Sequence, residues 1–204
     1  MKKINSLLMF FSLSLLVLFS LTSVKNNKIK DKLNFKLLNV DGKYVSLKED
    51  PAIKGYVIIF TCNHCPYARL YTSRLNAINT YYKDKGVPLI AISSTDADTY
   101  EEDSYEKMKE KAFVEHYEFP YLYDKDQQVA KQYNAQKTPH AYVIWNEKGK
   151  WVIKYNGAID DNATNEELVK VSFVKSAIDS LLVGKVVQIK ETKSIGCQIH
   201  FTKK

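Results

Sequence analysis

Residues 56–61, YVIIFT, make an unbroken β-branched and aromatic run that leads directly into Cys62-Asn63-His64-Cys65-Pro66. A run apolar at every position, rather than at every second one, suits a strand buried on both faces. A chain built around such a strand must cover a sheet with helices on both sides. The strand also delivers two cysteines, three residues apart, to the start of whatever follows it.

The flanking sequence supplies the covering layers. After CNHCP, Leu70, Arg74, Leu75, Ile78 and Tyr82 recur at three- and four-residue spacings and predict one long helix. VPLIAISS (87–94) reads as a second buried strand, and DADTYEED (96–103) as a solvated acidic loop. Residues 104–117 predict a helix that Ser104 caps. PYLYD (120–124) is a short strand and residues 126–134 a small helix. Thr138-Pro139 precede HAYVIW (140–145), which pairs with WVIKYNG (151–157) as a hairpin. Residues 165–183 predict a final amphipathic helix. Ahead of the core, two short alternating runs flank Asp41-Gly42, a hairpin turn signal. The expectation is a mixed α/β sheet with helices on both faces, an N-terminal β-hairpin and a C-terminal extension.

The spacing of Cys62 and Cys65 carries the chemistry. Two cysteines three apart at a helix start bring their sulfurs within disulfide range. Amides of the first turn stabilise a thiolate, the nucleophile of disulfide exchange. Cys62 is expected to be the exposed, attacking thiol and Cys65 its partner, with His64 between them favouring the thiolate. Half of a zinc site and an inert structural disulfide are the alternatives. Zinc sites usually need a second ligand pair, and the only other cysteine in the chain is Cys197. Pro139 before a strand predicts a cis peptide that sets the Thr138 backbone opposite Cys62. Cys197 lies in an alternating run, Ile195 to Phe201, and is expected to pack on its buried side, with a role as an additional thiol the competing reading.

These motifs resemble the thioredoxin superfamily. More narrowly, FTCNHCPYARLY, EDSYEKMKEKA, FPYLYDKDQQVAKQYNAQKTP and SIGCQIHF are similar to exported redoxins of the alkyl hydroperoxide reductase/thiol-specific antioxidant group. The resemblance implies a thioredoxin fold with Cys62 and Cys65 catalytic, Pro139 as the cis-proline, and Asn63, His64, Pro66 and Thr138 as support. It implies a thiol–disulfide oxidoreductase acting on protein thiols and disulfides with a thiol electron donor or acceptor. The redox-active Cys62–Cys65 disulfide takes the place of a bound cofactor, and no metal is expected. Two other functions stay open. One is a thiol peroxidase, although the position three before Cys65 holds Cys62 where peroxiredoxins carry Thr or Ser. The other is a copper-delivery protein of the same fold, although copper chaperones space their cysteines one residue wider. Relatives often carry Cys before Thr-Pro and an acidic residue after it; here these are Lys137 and His140.

The ends of the chain speak of location. MKKINSLLMFFSLSLLVLFSLTSV (1–24) has a basic start and an apolar run, the form of a secretory signal, with an uncleaved anchor as the alternative. Either places the body outside the cytoplasm, in the periplasm or tethered facing it. Residues 25–32 read as a Lys-rich linker, 33–189 as the domain and 190–204 as a tail packed on it. The net charge of +7 gathers at the ends and leaves 33–189 close to neutral. That distribution lacks the basic face of a nucleic-acid binder. Membrane contact is expected only through the N-terminal segment.

Overall fold

The computed structural model describes residues 32–48 and 50–202; the segment 1–24 read as a signal and most of the stretch read as a linker lie outside them. Among the described residues no helix is long and apolar enough to cross a membrane.

The strand YVIIFT is the centre of the molecule. It forms β3 (Gly55–Thr61), every residue of which is buried. β4 (Leu89–Ser93) runs parallel to it on one side, and β7 (His140–Glu147) antiparallel on the other. β5 (Tyr121–Tyr123) extends the sheet beyond β4, and β8 (Lys150–Gly157) beyond β7. The N-terminal hairpin β1 (Leu37–Asn39) and β2 (Tyr44–Val45) turns at Asp41-Gly42, with Gly42 at φ +81°, and closes the far edge. The strand order is β2-β1-β5-β4-β3-β7-β8. A separate two-stranded ribbon joins β6 (Lys137–Thr138) to β9 (Cys197–Gln198).

Alternation along β3 divides the core. Val57 and Ile59 face α2 (Thr72–Tyr82), α3 (Tyr105–Val114) and α5 (Phe173–Leu182) through Leu75, Ile78, Met108, Val174 and Ile178. Ile58 and Phe60 face α4 (Gln128–Tyr133), meeting Val129 and Tyr133. Each such side chain contributes about 1.5–3 kcal/mol by leaving water. This is the thioredoxin arrangement expected from the sequence.

Three local expectations are corrected. The helix after the cysteines is broken: α1 (Pro66–Arg69) ends at Leu70, and a tight turn from the Tyr71 amide to the Ala68 carbonyl precedes α2. Ser104 occupies the N-cap of α3 but makes no side-chain capping bond. The last helix starts at Phe173, because polar side chains capture the backbone before it. Asn165 accepts from the Glu167 amide at 2.9 Å, and Asp161 from Lys170 at 2.9 Å. Glu166–Leu168 is only a 3-10 turn.

α2 is tied to the loop after β8 by a buried ion pair. Arg74 donates to Asp160 at 2.7 Å and to the carbonyls of Asn162 and Ala163 at 2.8 and 3.0 Å. Tyr71 donates to the same carboxylate at 2.8 Å. Removing the guanidinium leaves Asp160 buried without its counter-charge, so Arg74→Ala is expected to lower stability by about 3–5 kcal/mol, read by urea unfolding. A loss below ~1 kcal/mol would show that the loop is held by something else.

Candidate active site

β3 ends at Thr61, and the next four residues carry the pair to the head of α1. Cys65 is the N-cap residue and Pro66 the first helical one, where its missing amide hydrogen costs nothing. Both cysteines are free and have no exposed surface. The Thr138–Pro139 peptide, between β6 and β7, is cis. Thr138 touches both sulfurs: its hydroxyl lies 3.2 Å from Cys62 Sγ, and its carbonyl oxygen lies 3.1 Å from Cys65 Sγ.

The acidic loop is not simply solvated. Its last residue, Asp103, is fully buried beneath the pair. One carboxylate oxygen accepts from the amides of Asn63 (2.5 Å) and His64 (3.3 Å), and the other meets His64 Nδ1. His64 is stacked on Tyr100, ring centroids 3.8 Å apart. Asn63 is held on every side. Its amide nitrogen donates to the Glu102 carbonyl at 2.6 Å, its side-chain oxygen accepts from Tyr121 at 2.9 Å, and its carbonyl accepts from Arg69 at 2.6 Å. Donor atoms of Cys62, His64 and Asp103 lie within 4.8 Å of one another. His64 and Asp103 direct their facing atoms at each other, which suits a proton-holding pair beside Cys62 more than an open ligand set.

The electrostatics reverse the expected polarity of the pair. Cys65 is pulled down to about 4, first because the Cys62 thiol donates to it, then by the Cys197 thiol and by the amides of Ala68 and Cys197. Cys62 is pushed far up, by that same donation, by burial and by the Asp103 charge. Cys62 has no exposed surface, which corrects the exposed thiol read from the sequence; the surrounding groups favour the proton on Cys62 and the charge on Cys65. His64 is not among the causes of either shift; it serves Asp103.

Cys197 also departs from expectation. The run Ile195 to Phe201 does not bury one face cleanly: Ile199 is buried, Ile195 and Phe201 are exposed, and Cys197 is half-buried against Cys62, Cys65 and Ala68. Its amide lies 3.4 Å from Cys65 Sγ. The tail thus crosses the redox pair. Lys137 pairs with Gln198, and His140 is buried and pushed down to about 4 by that burial.

Comparison with known proteins agrees with this architecture. Residues 29–161 match the model of the AhpC/TSA family. The chain belongs to the AhpC/TSA family. A solved structure of an uncharacterized conserved protein from Geobacillus kaustophilus is 38% identical, covering 86% of this chain and 92% of that one, with a TM-score of 0.77. A hypothetical protein from Sinorhizobium meliloti 1021 is 30% identical over 85% and 94% of the two chains, TM-score 0.76. Among curated relatives, a protein named thiol-disulfide oxidoreductase ResA from Bacillus thuringiensis subsp. konkukian is 26% identical over 70% of this chain and 78% of its own.

Sequence reasoning missed Asp103, Tyr100 and Tyr121 in this family member's site. The one available signal was an Asp beside the helix-capping position of Ser104. Its arrival under Cys62 is a tertiary event.

The charge on Cys65 is directly measurable. The reduced protein is expected to hold one thiolate at pH 7, losing its absorbance at 240 nm on acidification through about pH 4. Cys62→Ala removes the donor and is expected to move that transition upward. A reduced protein without thiolate absorbance at pH 7 contradicts the assignment.

Proposed function

We propose that the protein is a thiol–disulfide oxidoreductase that works through Cys62 and Cys65 outside the cytoplasm. The observation that carries this reading is geometric: two free cysteines three residues apart both meet Thr138, next to the cis Pro139, with the buried Asp103 carboxylate beside them. Membership of the AhpC/TSA family and the similarity to a named thiol-disulfide oxidoreductase support it. The basic and then apolar residues 1–24 support export.

The cycle follows from the charges. With the tail strand displaced from the Thr138 edge, the Cys65 thiolate attacks one sulfur of a protein disulfide; the other sulfur leaves as a thiolate and takes a proton from water. Cys62 passes its proton toward the Asp103–His64 pair and attacks the Cys65 sulfur. The Cys62–Cys65 disulfide forms, and the second substrate sulfur leaves and is protonated. A dithiol donor returns two electrons, and the same steps in reverse oxidise dithiols. The pair itself holds the two electrons, so the cycle needs no organic cofactor.

A second reading is favoured by the same thiolate: Cys65 reduces a hydroperoxide, with Cys62 resolving the sulfenic acid and releasing water. Reduction of a protein disulfide and consumption of hydrogen peroxide, measured on one preparation, separate the two.

For the disulfide reading, Cys65→Ser and Cys62→Ser are each expected to abolish multiple turnover. Asp103→Asn is expected to slow it by about 10²-fold, because Cys62 loses its proton acceptor, while lowering the pH at which the rate is half-maximal, because the carboxylate charge that pushed Cys62 up is gone. Full disulfide reductase activity in Cys65→Ser would overturn the mechanism.

A further inference from the structure

The strand edge beside Thr138 is where an extended substrate segment would pair. In this chain it is already filled. β9 runs antiparallel to β6, with Cys197 opposite Thr138 and Gln198 opposite Lys137. The Ile199 amide continues the pairing to the Gln136 carbonyl at 2.8 Å. Gly196 makes the approach possible: it sits at φ +156°, and a Cβ there would fall 2.0 Å from the Thr138 carbonyl oxygen.

The tail is anchored on both sides of this point. Upstream, the Thr192 amide donates to Asn156 at 3.0 Å, and its hydroxyl meets Tyr155 at 2.6 Å. Downstream, buried Gln127 donates to the His200 carbonyl at 2.8 Å and accepts from the Thr202 amide at 2.8 Å. Between these anchors Cys197 lies against Cys65, where a substrate cysteine would lie. It is also the one cysteine of the three with exposed surface.

We propose that Cys197 is a third catalytic thiol that moves the disulfide from Cys62–Cys65 to Cys65–Cys197 and passes it to the reductant. This rests on the oxidoreductase reading above and adds the route by which electrons enter. Cys197 sulfur attacks Cys65 of the oxidised pair; the Cys65–Cys197 bond forms, the Cys62–Cys65 bond breaks, and the Cys197 proton ends on Cys62. No net oxidation occurs. The donor's thiolate then attacks the half-exposed Cys197 sulfur and Cys65 leaves. The donor's second thiol attacks the donor sulfur now joined to Cys197, so the donor departs as a disulfide and Cys197 as a thiol. Cys65 suits the leaving role because its thiolate is the stabilised one, and better-stabilised thiolates leave faster. The geometry gives the reductant a half-exposed sulfur at Cys197, whereas Cys62 and Cys65 have no exposed surface beneath the tail.

The test maps disulfides in the reduced full chain after oxidation with glutathione disulfide and blocking with N-ethylmaleimide. Cys62→Ser, its fold checked by circular dichroism, is expected to give an intramolecular Cys65–Cys197 linkage. Cys197→Ser is expected to give only Cys62–Cys65 and to slow steady-state turnover with a dithiol donor by about tenfold. If folded Cys62→Ser yields Cys65 and Cys197 only free, glutathionylated or joined between molecules, the third-thiol proposal is overturned and the oxidoreductase reading stands. If Cys197→Ser also fails to form the Cys62–Cys65 linkage, the oxidoreductase reading itself falls.

Discussion

All three cysteines of the chain are held by one residue. Thr138 presents its hydroxyl to Cys62 and its carbonyl to Cys65, and its register partner in the tail strand is Cys197. A short strand of two residues is a weak element by itself, but here it is continuous in sequence with β7, the antiparallel neighbour of β3. The two cysteines hang from the end of β3, and Thr138 from the start of β7. Their meeting is a consequence of the central pairing, in which Phe60 stands opposite His140.

The second condition of the site is a carboxylate without water. Burying a charge is costly unless its lone pairs are used. Asp103 meets that demand with two backbone amides and an imidazole, all from the segment that carries the redox pair. The same bonds fix the loop between Cys62 and Cys65, and Asn63 is further pinned by Tyr121, Arg69 and the Glu102 carbonyl. Rigidity and polarity therefore arise together. The negative charge beside Cys62 disfavours a second negative charge on that sulfur, so the thiolate settles on Cys65, which is surrounded by donors.

The tail adds a layer that the α/β core does not require. It leaves α5, passes along β8 near Asn156, and crosses the pair as β9 before Gln127 receives it. Its pairing partner is a backbone edge rather than an apolar patch, which is why its side chains alternate poorly in burial. A segment held by backbone hydrogen bonds at that edge occupies the donors and acceptors an extended substrate segment would need. Access to Cys65 is thus coupled to the position of the tail.

Much of this was readable without coordinates. YVIIFT was legible as an inner strand, because a short β-branched and aromatic run suits a strand buried on both faces. Its two faces demanded helices, and the periodicity of 70–82 and 165–183 supplied them. Cys62, Cys65 and Pro139 were legible because spacing alone sets them beside a strand end. The break after Arg69 and the late start of α5 were not, since both depend on local backbone bonds that compete with a helical pattern. Asp103 was illegible for a stronger reason: in sequence it ends an acidic run indistinguishable from a solvated loop, and only the fold removes water from it. The roles within the pair followed the same division. Sequence determined that two thiols would face each other; which one keeps its proton was decided by the buried carboxylate and the returning tail, because a thiol's charge depends on the groups packed around it in space and not on its neighbours along the chain.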